Sequence, residues 1–315
     1  MNEIRTSLPT ESKRGSYKAN KFLIDENGKL LGVGYENDKI KIESPKDRSY
    51  EQLEKSNKKK ENRSIVSEYV TNLIDSNFYF YFYNEGLDSI DTKEIYKLRF
   101  LYLCTYAGYY DKKNGGAYIG HRNGNRFDKK KVKQLLGVSE NKANDTIKEL
   151  LKVELLIEDK EGFKVNSKYV KRGNLTSKEK KKQFTRVFNN GLRELYNNCK
   201  PTQHGQLYYL FKMLPYVNTK FNAICQNPNE TIDEKVIPLK LSEICEVTNY
   251  DVSKAKRFEK EMLKLEVFGQ YALAIVINGS GTCYKINPQI MYAGNTVEDT
   301  EALNELLTFD FKAKK

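Results

Sequence analysis

Two short segments of the sequence carry basic and amide side chains at a spacing that suits contact with nucleic acid. Lysine and arginine donate hydrogen bonds to guanine or to phosphate oxygens, and asparagine pairs with adenine. The larger set consists of Asn249, Tyr250, Ser253, Lys254, Lys256, Arg257 and Lys260. The smaller set, whose surroundings are nearly neutral in charge, consists of Asn141, Lys142, Asn144 and Lys148. We expect the larger set to contact DNA closely and the smaller set either to read bases or to form a solvated or protein-contacting face.

Two lysine runs extend this pattern. One run begins a short predicted helix and the other lies in a polar stretch further along the chain. They comprise Lys129, Lys130 and Lys131, and Lys180, Lys181 and Lys182. Lysine runs are usually solvated, but the second run lies next to a predicted wing, so phosphate contact is an equal alternative there. The first run begins a helix, which is a good phosphate site, and a bound anion would neutralise lysines that oppose the helix dipole.

Residues that would support catalysis or metal binding are sparse. The only histidines, His121 and His204, lie far apart, and no phosphate-binding GxxxxGK[ST] loop occurs. The five cysteines form no CxxC pair, which argues against structural zinc and against a disulfide framework. We therefore expect no enzymatic activity, no cofactor and no metal. The tyrosines lie in apolar periodic runs where we expect packing: Tyr79, Tyr81, Tyr83, Tyr102, Tyr106, Tyr109, Tyr208 and Tyr209.

Charge and hydropathy narrow the class of protein further. The chain of 315 residues has a formal net charge of +12, which suggests an anionic partner. It has no apolar run long enough to span a bilayer, and its first residues lack the apolar core of a secretory signal. We expect a cytoplasmic, nucleoid-associated protein that contacts no membrane.

An internal repeat indicates the elements that hold the basic segments. Three blocks match in the same order: 102–109 with 209–216, 142–154 with 254–266, and 164–174 with 285–295. Three matches in the same order favour a duplication. The sequence separation between the two members of a matched pair grows along the chain, which places insertions in loops.

Each half predicts the same succession of elements: an aromatic helix, a short strand, a short helix, a longer helix and a hairpin. In the first half these cover 92–109, 117–119, 128–136, 139–152, 155–157 and 163–165. In the second half they cover 203–216, 236–239, 241–246, 251–265, 270–277 and 282–286. Ser139 and Asp251 are suitable N-caps for the longer helices. This order is that of a winged helix, in which the longer helix enters the major groove and the hairpin reaches the backbone.

The predicted packing supports this interpretation. Apolar residues at helical spacing should hold the two longer helices to their partners. They are Leu135, Val138, Ala143, Ile147, Leu150 and Leu151, and Ile244, Val247, Ala255, Phe258, Met262 and Leu263.

The predicted fold is therefore α+β, mainly α, with two tandem winged-helix domains that form a pseudo-dimer behind a basic N-terminal extension. Its parts are the extension 1–63, a first winged helix 64–175, a linker and connecting helix 176–202, a second winged helix 203–297 and a tail 298–315. Within the extension, 21–24 and 29–31 flank Asn27-Gly28 and predict a hairpin, 39–42 predicts a further strand, and 44–63 is polar.

The short motifs also resemble those of a known family. Leu135-Leu136-Gly137-Val138-Ser139, Lys148-Glu149-Leu150-Leu151 and the ending Lys285-Ile286-Asn287-Pro288 with Gly294-Asn295 look like RepL-type replication initiators of plasmids and phages in low-GC Gram-positive bacteria. The resemblance implies a sequence-specific protein that binds double-stranded DNA as initiator or transcriptional regulator. Host replication or transcription proteins would be further partners, and the protein would act as a pseudo-dimeric monomer or a homodimer. The alternative is an accessory protein whose winged helices bind another protein.

Overall fold

The computed structural model describes residues 77–110, 115–121, 124–278, 281–294 and 311, together with two strands near the N-terminus. The chain forms two compact units, residues 1–65 and 66–315. In the first unit, β1 (Ala19–Ile24) pairs antiparallel with β2 (Leu30–Tyr35), which confirms the predicted hairpin. The predicted strand at 39–42 and the polar stretch 44–63 lie outside the described residues.

The second unit mixes helices with small antiparallel sheets, so the predicted α+β class is confirmed. Its helices are α1 (Glu94–Cys104), α2 (Lys129–Leu135), α3 (Glu140–Lys152), α4 (Asn189–Asn198), α5 (His204–Leu207), α6 (Tyr209–Lys212), α7 (Leu241–Val247) and α8 (Ala255–Met262). Its strands are β3 (Phe78–Tyr81), β4 (Ala117–Tyr118), β5 (Leu156–Asp159), β6 (Gly162–Val165), β7 (Val170–Lys171), β8 (Thr185–Phe188), β9 (Glu266–Val267), β10 (Gln270–Tyr271), β11 (Leu273–Asn278), β12 (Gly281–Ile286) and β13 (Met291–Tyr292).

The first half follows the predicted succession closely. Helix α1 is buried along most of its length, α2 begins after Asp128, and α3 begins after Ser139. The Asp128 carboxylate accepts a hydrogen bond from the Lys131 backbone amide at 2.7 Å, which caps α2. Strand β4 pairs with β6, and β6 pairs with β5, so the short strand joins the hairpin in a three-stranded sheet.

The predicted continuous helix 203–216 is interrupted in the structure. It is divided into α5, α6 and flanking 3-10 turns at Pro201–Gln203 and Leu214–Tyr216. At the break, the Tyr208 backbone amide bonds to the Gly205 carbonyl three residues back, which is the tighter 3-10 pattern. Gly205 also lies against the backbone of Ile95, so a close approach to α1 accompanies the irregularity.

The prediction of a strand at 236–239 is also wrong. Residues 223–225 take the place expected for it, because Ala223 bridges Lys285 of β12 and the Ile224 amide bonds to the Tyr284 carbonyl at 2.8 Å. Residues 237–239 pair with 224–226 and not with β12: Pro238 bridges Cys225, the Gln226 amide bonds to the Ile237 carbonyl at 2.9 Å, and the Leu239 amide bonds to the Ile224 carbonyl at 3.0 Å. Proline has no amide hydrogen to donate to a ladder, which favours an outer position.

The end of the second half departs from prediction in two further places. The predicted helix 251–265 begins as a 3-10 turn, Val252–Lys254, and only Ala255–Met262 is α-helical. The predicted strand 270–277 is divided at Ala272, because β10 pairs with β9 in one small hairpin while β11 pairs with β12 in another. The Ala272 amide bonds to the Leu265 carbonyl at 2.7 Å, which turns the chain between the two hairpins.

A four-stranded antiparallel sheet joins the two halves, and it was not predicted. Its order is β13-β8-β3-β7, so the strand that precedes each half is paired with the strand that follows the same half. The central pair β3–β8 aligns Tyr79 with Val187. Exchanging β3 for β8 and β7 for β13 leaves the strand order unchanged. The segment 176–202 thus contributes β8 and α4 to the core.

Matched asparagines support this equivalence at the end of each hairpin. The Asn166 side chain donates to the Glu154 carbonyl at 2.8 Å and accepts from the amide two residues on. The Asn287 side chain donates to the Tyr271 carbonyl at 2.9 Å and likewise accepts from the amide two residues on. The two sequence repeats therefore have the same local hydrogen bonding.

One apolar core extends through both halves, and every apolar residue predicted to hold the longer helices lies in it or packs against it. Most of the predicted tyrosines pack in it. Tyr109 is the exception, because its side chain is 68% exposed, and the prediction that it packs was wrong. It lies beyond the end of α1, where helical periodicity no longer decides which side faces the core.

Candidate nucleic-acid interface

The turn between α2 and α3 has a left-handed residue at its start. Gly137 has a φ of +61° and open space where a Cβ would be, so the turn uses the conformational freedom of glycine. Buried Ala143, Ile147 and Leu150 fix one side of α3 against the core. The opposite side of α3 therefore faces solvent.

The second half repeats this turn with a different residue. Asn249, which occupies the matched position, has a φ of +55°, a conformation that asparagine adopts more readily than most residues. The Asp251 carboxylate then accepts a hydrogen bond from the Ser253 amide at 3.0 Å and caps the 3-10 turn. Buried Phe258 and Met262 hold α8 to the core.

All four predicted residues on α3 are exposed: Asn141, Lys142, Asn144 and Lys148. Neither lysine has an ion pair with any residue that the structure describes. Their positive charges are thus not compensated by a neighbouring carboxylate on the helix.

Three of the four cations in the second set are exposed but paired. Lys254 contacts Asp251 at 2.8 Å, Lys256 contacts Glu259 at 3.4 Å, and Arg257 contacts Glu261 at 2.8 Å. Lys256 is the most open of the three, with 89% of its side chain exposed. Exposed ion pairs of this kind contribute little stability, so a phosphate can replace the carboxylate at small cost.

The remaining members of the second set differ in environment. Asn249 and Lys260 are exposed, and Lys260 has no ion pair with a described residue. Tyr250 is half-buried, and its ring centroid lies 4.8 Å from that of Phe258. Its ring therefore packs against α8 and is less available to a ligand than the exposed members of the set. The Ser253 hydroxyl bonds to Asp251 at 2.6 Å. The hydrogen bond from Lys254 is the main reason that the pKa of Asp251 falls to about 2, and the bonds from Ser253 lower it further.

The two lysine runs lie on the surface of the first half and of the segment after it. Lys130 and Lys131 are exposed on α2, whereas Lys129 reaches Glu158 of β5 at 3.4 Å. Lys180 and Lys181 are exposed on a 3-10 turn, and Lys182 is half-buried against Glu85 at 3.1 Å.

The first hairpin has its own charged cluster. The Tyr118 hydroxyl donates to Asp159 at 2.7 Å, and Lys164 contacts the same carboxylate at 2.7 Å. The hydrogen bond from Lys164 is the main reason that the pKa of Asp159 is lowered. Arg126 lies over the Tyr118 ring at 3.7 Å and pairs with Glu161. These contacts connect β4 to the hairpin.

One buried polar contact behind α3 was missed by sequence reasoning. Arg99 is buried in α1 and donates to the Thr146 hydroxyl at 2.7 Å, while that hydroxyl donates to the Lys142 carbonyl at 2.7 Å. The signal was present, since an arginine stands between Leu98 and Phe100 in an apolar helical run.

The described residues include no group of three or more His, Cys, Asp or Glu side chains that could hold a metal ion. All five cysteines are free thiols. Within the described ranges, no helix combines the length and the apolar character that crossing a membrane requires.

Known proteins add no further evidence on this interface. No family model, no curated protein and no solved structure matches the chain. The resemblance to RepL-type initiators stays a prediction from short motifs.

Proposed function

We propose that the protein is a non-catalytic, sequence-specific binder of double-stranded DNA that uses two winged helices as a pseudo-dimer. The observation that carries the proposal is the repeated arrangement of an exposed helix, α3 or α8. Each follows a left-handed turn residue and a short bracing helix, and each precedes a hairpin. A helix presented in this way fits the width of the major groove.

Charge supports DNA as the partner. The exposed faces of α3 and α8 carry Lys142, Lys148, Lys256, Arg257 and Lys260. Lys256 and Arg257 of α8 pair with carboxylates of the same helix, and these pairs are solvent-exposed. In the proposed complex, phosphates or guanine edges replace Glu259 and Glu261 as partners.

The four-stranded sheet supports a single composite site. Because β3 and β8 are neighbours in the sheet, the two halves pack around a shared centre. Two winged helices held in this way would read two half-sites on one face of the duplex, about 34 Å apart. The role of replication initiator or transcriptional regulator of a plasmid or phage follows from the motif resemblance.

The test begins with selection of bound sequences from random duplex DNA by the full chain. An enriched motif with two half-sites is expected, and its affinity should fall with salt at a log–log slope of about −0.9 per contacted phosphate. Lys256→Ala with Arg257→Ala should abolish the preference for the motif and leave the circular dichroism spectrum unchanged. Lys235→Ala, at an exposed site outside both helices, is the matched control. Failure to enrich any motif, or an unchanged footprint in the double variant, would contradict the proposal.

A second candidate function is protein binding by the second half. Most of the exposed large apolar side chains among the described residues lie there: Ile232, Ile237, Val252, Phe268, Ile275 and Ile277. Ile277, at the end of β11, is 80% exposed. On this alternative, Ile277→Ser would remove binding to a protein partner, while salt would have little effect.

A further inference from the structure

The hairpin formed by β11 and β12 has one covered edge and one open edge. On the β12 side, the Ile224 amide bonds to the Tyr284 carbonyl at 2.8 Å, and the Ile286 amide bonds to the Asn222 carbonyl at 3.0 Å. On the other side, β11 pairs with β12 and with no other strand that the structure describes. The outer backbone groups of β11 therefore have no ladder partner within the described ranges.

The pairing with β12 decides which residues of β11 face outward. The residues of β12 that bond to 222 and 224 alternate with those that bond to β11, as in any antiparallel ladder. Those that bond to β11 are the partners of Ala274 and Val276. The N–H and C=O groups of Ile275 and Ile277 therefore point to the open edge.

The side chains at this edge are apolar. Ile275 is partly exposed, Ile277 is largely exposed, and both lie on the same face of the hairpin because they are two residues apart on a strand. Ile275 lies opposite Tyr284 of β12, whose hydroxyl bonds to Glu259 of α8. Ile277 lies nearer the turn, where most of its surface faces solvent. The edge thus offers both unpaired backbone groups and apolar surface.

The matching hairpin of the first half is protected in a way that this one is not. Its edge strand β5 carries Glu158 and Asp159, which pair with Lys129 at 3.4 Å and with Lys164 at 2.7 Å. Charged side chains on an edge strand oppose pairing with another chain. The six residues of β11 include no charged side chain. The two repeats therefore differ at this edge, and only the second leaves an apolar strand open to pairing.

We propose that β11 is a dimerisation edge, where it pairs antiparallel with β11 of a second copy of the chain. An open row of backbone donors and acceptors suits an extended strand. The strand is complementary to itself, because a twofold axis at Val276 places Ile275 of each copy opposite Ile277 of the other. In this register the two residues exchange both of their backbone hydrogen bonds, and their exposed side chains cover each other.

The size and charge of the contact determine how strong this dimer is. A single strand pair is a small interface, below the roughly 1,200 Å² of a stable complex, so we expect weak association. Each copy has a net charge of +12, so the copies repel each other, and added salt should strengthen the dimer by screening that repulsion. Association through opposite charges would weaken with salt instead. The salt dependence therefore distinguishes strand pairing from attraction between acidic and basic surfaces.

Sedimentation velocity of the full chain without DNA, at about 5–500 µM protein and at about 0.1 and 0.5 M NaCl, tests this edge. A reversible dimer is expected, with the stronger association at the higher salt. Ile277→Lys should weaken association by at least about tenfold, because it places a charge on the open edge of both copies. Ile157→Lys, at an exposed isoleucine of β5, is the matched control and should change association by less than about threefold.

Two further experiments test the backbone pairing and its register. Ile277→Pro removes an outward amide and keeps the bonds to β12, so it should abolish the dimer and leave the circular dichroism spectrum unchanged. A mixture of Ile277→Lys with Ile275→Glu should associate more strongly than either variant alone, because the register places that lysine opposite that glutamate in the mixed dimer. Circular dichroism confirms beforehand that each variant is folded.

Four results would overturn the proposal. A chain that stays monomeric up to about 500 µM at both salt concentrations has no such edge contact. Equal weakening by Ile157→Lys and Ile277→Lys would show that the effect is not local. Association that weakens with salt would assign the contact to charged surfaces. Folded variants that do not associate when mixed would rule out the twofold axis at Val276. The proposed DNA function is independent, since a monomer that binds a selected motif would contradict the dimer alone.

Discussion

His204 should make the protein lose stability as the pH falls from neutral, well before its carboxylates protonate. The imidazole is 2% exposed, stacks on Tyr196 with ring centroids 3.8 Å apart, and has no described partner for Nδ1. Burial is the main reason that its pKa falls to about 4, and the charge of Arg99 lowers it further. The carbonyl groups of Tyr196 and Cys199 oppose this shift to a smaller degree.

The sign follows from comparing the two states. An unfolded histidine has a pKa of about 6.5, so the unfolded chain takes up the proton first as the pH falls. The stability from neutral His204 is complete above about pH 6.5 and is lost progressively as the pH falls towards 4. At about 1.4 kcal/mol per pH unit, the expected loss between pH 7.5 and 5 is about 2 kcal/mol.

Urea denaturation followed by circular dichroism at several pH values from about 7.5 to 5 measures this loss, since the chain has no tryptophan to report by fluorescence. His204→Phe keeps a ring against Tyr196 but cannot titrate, so its stability should be nearly constant over that interval. His121→Asn, at the other and exposed histidine, should retain the wild-type dependence. If His204→Phe lost as much stability as the wild type, the argument from burial would be refuted.

Three further predictions concern the helix behind the interface, its turn and the surface lysines. Thr146→Val should destabilise the fold by about 1–3 kcal/mol in chemical denaturation, because it leaves a buried Arg99 donor unpaired, whereas Thr146→Ser should cost less. Gly137→Ala should lower the free energy of unfolding by about 1–2 kcal/mol through its left-handed φ, and a neutral result would contradict the turn geometry. Reversal of charge at Lys180 and Lys181 should weaken binding to all DNA sequences similarly in anisotropy titrations, and a loss confined to one sequence would rule out a phosphate role.

Sequence reasoning located the elements whose patterns are local. Helices α1 and α3 have long periodic apolar faces, and the hairpin β5–β6 has a short turn between its strands, so each was predicted within a few residues. The divided helix around Tyr208 was not predictable, because its break accompanies contact between Gly205 and α1. Such a contact exists only in the folded chain.

The central sheet could not be predicted for a related reason. Strands β7 and β13 have two residues each, which is too short for any alternation to be visible. Their partners lie far along the chain, as in the pairing of Tyr81 with Val170. No local pattern encodes which of several short apolar stretches will meet.

The sequence predicted which side chains of the candidate site are exposed, but it did not predict how their charges are paired. The spacing of Lys142 and Lys148 placed them correctly on the open side of α3. The pairing of Arg257 with Glu261 could be suspected from the four-residue separation, but Tyr250, half-buried against Phe258, was assigned to the wrong environment. Tyr250 meets Phe258 because the chain turns at Asn249, which has a left-handed backbone conformation. Sequence spacing alone does not indicate the direction of that turn.

The pairing of β3 with β8 within one chain has a consequence for how the protein responds to its own concentration. Had the two halves been separate subunits, forming the central sheet would have required an association step, and the assembled fraction would have fallen on dilution. Covalent connection removes that step for this sheet. On the proposed function, occupancy of the composite DNA site should therefore follow a simple hyperbola in protein concentration.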